Sequence, residues 1–158
     1  MDTQAAPKVE ELREHESWQL VRGTAVGRLA VIVDARPEIF PVNHIVNHAE
    51  IVFRSAPGTK LSGADGSLVA FEVDGVDLDS GLAWSVVAKG RAHVIRKLQE
   101  VVDTFGMELT SWQSGEKPIF VRIQVDEITG RRFTPTWRRP QVTGDGTREP
   151  GADVGSAP

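Results

Sequence analysis

The sequence contains no cysteine, and this absence excludes several kinds of site at once. Disulfide bonds, thiolate zinc sites, cysteine-ligated iron–sulfur clusters and cysteine nucleophiles all require a thiol. Long apolar runs are also missing. No stretch approaches the roughly 18 apolar residues of a membrane-spanning helix, and the N-terminus has no apolar segment behind a basic start. We therefore expect a cytoplasmic protein that has no membrane partner.

The chain lacks an excess of basic residues as well. Its formal net charge of -4 argues against nucleic acid as a partner, because binding to phosphate backbones usually needs a concentrated basic face. The common nucleotide-binding loops, G-x-x-x-x-G-K-[ST] and G-x-G-x-x-G, are absent. His44 and His48 are four residues apart, but they fall on a strand and a turn that point them in unrelated directions. We expect no metal site, and we interpret His93 as a structural residue.

What is present predicts a mainly β (α+β) fold. Its 158 residues suit one domain. Alternating apolar residues predict six strands, three of them in a meander, which favours a six-stranded antiparallel split β-barrel with peripheral helices. Helical spacing occurs in "KVEELREHESWQLVRG" and "RKLQEVVDTFGMEL". We expect Pro41 to interrupt its strand at an edge or a bulge, and the long strand "LAWSVVAKGRAHVI" to bend at Gly90. We assign residues 1–139 to the barrel domain and residues 140–158 to a disordered tail.

The stretch "IVFRSAPGTKL" combines a strand with residues suited to phosphate. Arg54 and Lys60 supply two cations, Ser55 and Thr59 supply hydroxyl groups, and a Pro-Gly pair at a helix start leaves backbone N–H groups unpaired. The same residue types also accumulate in an ordinary solvated turn with a helix cap. Spacing alone leaves both interpretations open.

Several motifs in order carry a resemblance to a known family. "GRLAVIVDARPEIFPVNHIV", "IVFRSAPGTKL", "WSVVAKGRAHVI" and "EITGRRF" resemble the pyridoxamine 5'-phosphate oxidase-related FMN-binding split-barrel family of the actinobacterial type. The resemblance covers roughly residues 10–134. It implies a six-stranded split barrel, a homodimer and FMN in a groove between the subunits. "ITGRRF" replaces the C-terminal Arg-Leu-His signature of true pyridoxamine phosphate oxidases, so we do not expect oxidation of vitamin B6.

The resemblance also implies which residues contact the cofactor. The phosphate contacts fall on Arg54, Ser55, Thr59 and Lys60, which agrees with the chemistry of that stretch. The polar edge of the flavin ring and the ring pocket fall on a second set of residues: Pro41, Val42, Asn43, Trp84, Ser85 and Val86. Arg131, Arg132 and Trp137 are predicted to reach the pocket of the partner subunit. No catalytic acid or base stands out.

These expectations define a function with open alternatives. The resemblance implies an FMN-binding oxidoreductase that acts on an unknown small-molecule substrate, in which the cofactor carries the redox chemistry and the protein binds and orients it. A deazaflavin-dependent reductase and a non-catalytic module that binds flavin or haem are the alternatives. Both faces of the strand "SLVAFEVD" are apolar, which favours burial of one face against a second copy in a homodimer.

Overall fold

The chain forms an antiparallel sheet that closes on itself. The computed structural model describes residues 8–55, 64–97, 99 and 119–135. The elements in these ranges are, in chain order, β1 (Val9–Leu12), α1 (Glu14–Gly23), β2 (Val26–Val33), β3 (Arg36–Asn47), β4 (Glu50–Ser55), β5 (Leu68–Val76), β6 (Ala83–Ile95) and β7 (Ile119–Phe133). The second predicted helix, the Pro-Gly turn and the predicted tail lie outside these ranges.

Six strands close the barrel. They follow the order β7-β4-β3-β2-β5-β6, and β6 pairs with β7 again to complete the ring. The predicted six-stranded antiparallel barrel is confirmed, and the predicted meander is its β2–β3–β4 part. One edge of β7 is shared between two partners, because β4 covers its first half and β1 covers its last residues.

The N-terminal helix is shorter than the sequence predicts. We expected a helix from Lys8 to Gly23, but Val9–Leu12 form β1 and the helix begins only at Glu14. β1 pairs with Gly130–Phe133, beyond the point where β4 ends. The helical prediction for these four residues was wrong because their hydrogen-bonding partner lies at the other end of the described chain, where no local periodicity can show it.

Helix α1 is capped at its start and hydrogen-bonded to the barrel at its end. Its buried residues are Ser17, Trp18 and Val21. At its start, the backbone N–H of Arg13 donates to Oε2 of Glu16 at 2.9 Å, and this hydrogen bond lowers the pKa of the Glu16 carboxyl. At its end, Nε2 of His44 donates to the carbonyl oxygen of Val21 at 2.9 Å. Carbonyl groups in the last turn of a helix lack intrahelical partners, so His44 ties the helix end to β3.

The barrel interior follows the predicted alternation. Gly27, Leu29 and Val31 of β2 face inwards and are buried. Phe71 lies opposite Leu29 on β5, and its ring covers Gly27 so closely that a Cβ there would stand 2.1 Å from Cζ of Phe71. Gly27 therefore makes room for the aromatic ring at the centre of the core.

The predicted irregularity at Gly90 is confirmed as a β-bulge. The pairing of β6 with β7 shifts register between Lys89 and Gly90. A Cβ at Gly90 would stand 2.0 Å from the backbone oxygen of Gln124, so only glycine allows this close approach. The bulge lets two long strands curve around a small barrel.

Candidate functional site

The predicted phosphate-binding residues begin at the end of β4. Arg54 and Ser55 are its last two residues, opposite Phe120 and Ile119 of β7. Adjacent residues of a strand point to opposite faces, and the Arg54 side chain is exposed whereas Ser55 is buried. Arg54 is therefore exposed at the end of β4, directly before the Pro-Gly stretch in sequence. Thr59 and Lys60, which the sequence predicts for the same site, lie outside the described residues.

The predicted contacts to the flavin ring on β3 lie at a change of strand partner. β3 pairs with β2 up to Asn43 and with β4 from His44 onwards. Pro41 does not interrupt β3, which is continuous, but in the described ranges its other edge has no paired strand, as predicted for a strand proline. Pro41 and Asn43 are exposed and Val42 is buried, so Val42 can meet a ligand only through its backbone.

The predicted pocket residues of β6 divide between the two faces of the strand. Val86 is fully buried, and Trp84 packs against the core on the same side. The indole of Trp84 covers Gly75, where a Cβ would stand 2.6 Å from Cζ2 of the ring. Ser85 points to the outer face, where it lines a groove. One flat ligand therefore cannot contact all three side chains from a single side.

The predicted arginines of β7 also point to opposite faces. Arg131 pairs with Ser85 and lines the same groove, whereas Arg132 pairs with Trp84. Nη1 of Arg132 lies 3.9 Å from a carboxylate oxygen of Glu10 on β1. Trp137, the third residue predicted to reach a partner subunit, lies outside the described residues.

The two arginine regions are at opposite ends of β7. Arg54 lies opposite Phe120, and Arg131 follows eleven residues further along the strand. At a rise of about 3.3 Å per residue, this corresponds to roughly 36 Å of strand. The chain therefore does not bring all the predicted cofactor residues into one place.

The groove beside Arg131 was missed by the sequence analysis as a unit. It has a volume of about 320 Å³ and is open to solvent. Its lining combines residues of β1, β6 and β7: Val9, Glu11, Leu12, Ser85, Val87, Ile128, Thr129, Gly130 and Arg131. Because β1 was predicted as helix, no sequence signal could place its residues against the end of β7.

An apolar area covers the outer surface of β2, β3 and β5. Its most exposed members are Ile32 at 65%, Leu68 at 65% and Ile39 at 68%. We call this area the outer apolar face; it consists of Ala30, Ile32, Pro37, Ile39, Leu68 and Ala70. Most of these residues line a shallow groove of about 420 Å³, with Lys89 and Glu127 at its rim. Nζ of Lys89 and Oε1 of Glu127 lie 2.9 Å apart.

A charged cluster lies beside the outer apolar face. Nη1 of Arg28 on β2 lies 3.1 Å from Glu72 and 2.9 Å from Asp74, both on β5. Burial and the neighbouring Asp74 raise the pKa of the Glu72 carboxyl, although Arg28 opposes this shift. Arg28 pairs with both carboxylates, so the three groups together carry one net negative charge.

His44 is the buried ionisable group nearest the predicted ring contacts. Its ring lies against Phe71 in an edge-on arrangement with 4.7 Å between centroids. In the neutral ring, Nε2 carries the proton that it donates to Val21, so Nδ1 is unprotonated, and Nδ1 has no hydrogen-bond partner among the described residues. Burial lowers the pKa of His44. His44 is therefore a neutral residue of the core.

Two negative findings limit the site. In the ranges that the structure describes, no three His, Asp or Glu side chains come together in an arrangement that could hold a metal ion. The same ranges contain no helix long and apolar enough to span a membrane.

Comparison with known proteins places this barrel in a family. The model of the family described as pyridoxamine 5'-phosphate oxidase matches residues 13–132. The FAD binding protein from Mycobacterium smegmatis has 36% identity and a TM-score of 0.66, with 78% of this chain and 97% of that chain covered. A putative pyridoxamine 5'-phosphate oxidase from Corynebacterium glutamicum has 37% identity and a TM-score of 0.65, with coverage of 80% and 94%.

A curated relative extends the comparison to nearly the whole chain. The uncharacterized protein Rv0080 of Mycobacterium tuberculosis is 31% identical over 143 residues, which cover 87% of this chain and 93% of the relative. The closed six-stranded barrel defines a split-barrel protein. The chain belongs to the pyridoxamine 5'-phosphate oxidase family, so the resemblance predicted from the sequence is confirmed.

Proposed function

We propose that this protein binds FMN and acts as a small flavin-dependent oxidoreductase. The observation that carries the proposal is the exposed Arg54 guanidinium at the end of β4, at the start of the stretch with phosphate-binding chemistry and inside the family match. A relative with 36% identity is described as an FAD binding protein, which supports a flavin. When bound, the flavin would transfer a hydride or electrons to a small molecule.

Residues of the chain could hold such a cofactor in two places. Arg54 can grip two phosphate oxygens with its planar guanidinium, and Lys60 would add a second positive charge. Pro41–Asn43 pair with β2 on one edge of β3, and their other edge has no strand partner in the described ranges, so backbone groups on that edge can bond the polar edge of the ring. The chain's own role is therefore binding and orientation. Oxidation of vitamin B6 is not part of the proposal, because the C-terminal signature for it is missing.

We further propose that the working form is a homodimer. The outer apolar face exposes Ile32, Ile39 and Leu68 to water in a single chain. Exposed contiguous apolar areas of this kind mark interaction surfaces, and a second copy related by two-fold symmetry is the commonest partner. A cytoplasmic location, predicted from the sequence, completes the proposal.

A dimer would also give a C-terminal arginine access to the cofactor. Arg54 and the end of β7 are too far apart within one chain for one flavin to touch both. Arg132 and Arg131 point to opposite faces, so only one of them can follow a path to the partner's flavin. We assign this path to Arg132, since Arg131 faces the separate groove.

The absorption spectrum of the purified protein tests the cofactor class. We expect the bands of an oxidised flavin, and release by denaturation followed by chromatography distinguishes FMN from FAD. Deazaflavin or haem bands would replace the proposal with one of the alternatives. A colourless protein that does not take up added FMN would contradict the proposal.

Titration of the apoprotein tests the phosphate site. Arg54→Gln is expected to weaken FMN binding by about one to two powers of ten, since charge-assisted hydrogen bonds contribute roughly 1.5–3 kcal/mol. Lys60→Ala should act in the same direction. Arg36→Gln, an exposed arginine on the far end of β3, is the matched control and should leave binding unchanged. Equal losses for FMN and for riboflavin, which has no phosphate, would refute the phosphate assignment.

Sedimentation at falling protein concentration tests the dimer. Leu68→Lys should shift the chain to monomer, because it places a charge in the outer apolar face. Leu78→Lys is the control, since Leu78 is 91% exposed on the turn between β5 and β6 and is not part of that face. If the flavin site is shared, the cofactor should be released as the dimer dissociates. A wild-type chain that stays monomeric and retains its flavin would contradict the shared site.

A further inference from the structure

The groove beside Arg131 has the composition of a small-molecule site. Its volume of about 320 Å³ is at the small end of the range of roughly 300–1,000 Å³ for ligand pockets. Val9 of β1 and Val87 of β6 contribute apolar side chains to its walls. The polar side chains of Glu11, Arg131 and Ser85 lie in one row across β1, β7 and β6, because Arg131 pairs with both of the others. A row of polar groups beside apolar walls suits a ligand that has an apolar body and a polar group.

The backbone at the groove has hydrogen-bonding groups to offer. β4 pairs with β7 only up to Gln124, and β1 pairs with it only from Gly130 onwards. Between these points, on the edge facing away from β6, residues 125–129 have no strand partner in the described ranges. Ile128 and Thr129 belong to this stretch and line the groove, so a ligand there can meet backbone groups that make no ladder hydrogen bonds on that edge.

The charges at the polar end favour an anion. Arg131 and Ser85 are paired across β6 and β7, so the guanidinium and the hydroxyl lie side by side in the groove. Across the structure's described ranges, Arg131 takes part in no ion pair. Glu11 lies opposite Arg131 on β1, and its negative charge would repel a ligand anion.

We propose that the groove between β1, β6 and β7 is a binding site for a small organic anion, a carboxylate or phosphate on an apolar body. Arg131 and Ser85 bind the anionic end, and Val9 and Val87 contact the apolar body. This site is separate from the flavin phosphate site at Arg54, which lies at the other end of β7, and it does not rest on the flavin proposal.

Fluorescence titration with 2-naphthoate tests the proposal on the full chain, with the neutral 2-naphthamide as a matched ligand. We expect saturable binding of the naphthoate and at least about tenfold weaker binding of the amide, since only the anion gains charge-assisted hydrogen bonds. Arg131→Gln should weaken naphthoate binding about tenfold and leave naphthamide binding unchanged. Glu11→Gln should strengthen naphthoate binding severalfold, because it removes the opposing charge.

The controls decide between this site and others. Arg36→Gln removes an exposed cation on a strand that does not line the groove and should change nothing. Unchanged naphthoate affinity in Arg131→Gln, or equal affinity for acid and amide, would overturn the proposal. Competition with FMN distinguishes a separate ligand from the flavin itself: naphthoate binding that persists in FMN-saturated protein supports a separate site, and competitive displacement by FMN overturns it.

Discussion

The two faces of the strands β2, β3 and β5 are both apolar, yet only one is buried. On the inner face, Phe71 is 1% exposed and Leu29 is fully buried. On the outer face, Leu68 is 65% exposed although it lies only three residues from Phe71 on the same strand. The barrel can enclose one face of each strand and no more. The difference shows that the apolar pattern marks surface that requires burial, and that the fold of a single chain buries only part of this surface.

The inner and outer faces also differ in the charge of their polar groups. Burial favours the neutral form of His44 on the inner face, and its ring donates a hydrogen bond to the end of α1. On the outer side, Arg28 binds two carboxylates within 3.1 Å and all three groups remain partly in water. The inner histidine therefore contributes to the packing of this chain, whereas the outer charged groups stay exposed beside the outer apolar face.

The largest expected effect is the removal of an inner aromatic ring. Phe71→Ala should lower the free energy of unfolding by about 3–5 kcal/mol, because it removes buried apolar surface and leaves a cavity between Gly27 and His44. Urea denaturation measures the loss. Leu68→Ala on the outer face is the matched change and should cost below about 0.5 kcal/mol in dilute, monomeric protein.

Measuring both variants at several protein concentrations makes the comparison of the two faces more specific. If a second copy covers the outer apolar face, the cost of Leu68→Ala should grow as the protein is concentrated, since dimerisation adds to the apparent stability. The cost of Phe71→Ala should not depend on concentration in this way. Similar losses for both variants in dilute protein would contradict the distinction between the faces.

A smaller effect is expected from adding a methyl group to the inner face. Gly27→Ala should destabilise the fold by about 1–3 kcal/mol, because the new Cβ would stand 2.1 Å from the Phe71 ring in a packed core. Gly23→Ala at the end of α1 is the control. Nothing lies within 4 Å of its added Cβ, so its thermal unfolding temperature should stay the same or rise. A neutral Gly27→Ala would show that Phe71 can move away freely.

The smallest expected effect is a pH dependence from His44. Burial lowers its pKa below the usual 6.5, so the unfolded chain takes up a proton near pH 6.5 while the folded chain resists it. The contribution of His44 to stability is therefore present above pH 6.5 and is lost as the pH falls from 6.5 towards the lowered pKa. His44→Gln should remove this component from urea denaturation curves measured across that range.

Two further measurements make the histidine prediction decisive. His48→Gln, on the exposed turn four residues away, should keep the pH dependence of the wild-type protein. NMR titration of the wild-type histidine rings requires no variant at all, and it should show the His44 signal shifting below pH 6.5. A His44 ring that titrates at or above its usual pKa would contradict the buried, neutral state.

Local pattern in the sequence was enough to predict much of the barrel. Alternation in "VGRLAVIV" assigned Gly27, Leu29 and Val31 to one face, because successive side chains of any strand point to opposite sides. The edge position of Pro41 and the bulge at Gly90 follow from the special backbone chemistry of these residues. Arg54 stood out because cations and hydroxyl groups are close in the chain itself. These features depend on neighbours in sequence.

Only the tertiary structure decided where distant residues meet. β1 was predicted as helix because its strand partner, Gly130–Phe133, lies at the other end of the described chain. The pairing of Ser85 with Arg131 and of Arg131 with Glu11 creates a groove that no short segment contains. The opposite orientations of Arg131 and Arg132 likewise depend on the register of β7 against its neighbours. Register is a property of long-range pairing, and a shift by one residue would exchange the two faces, so the composition of a single strand cannot specify which arginine enters the groove.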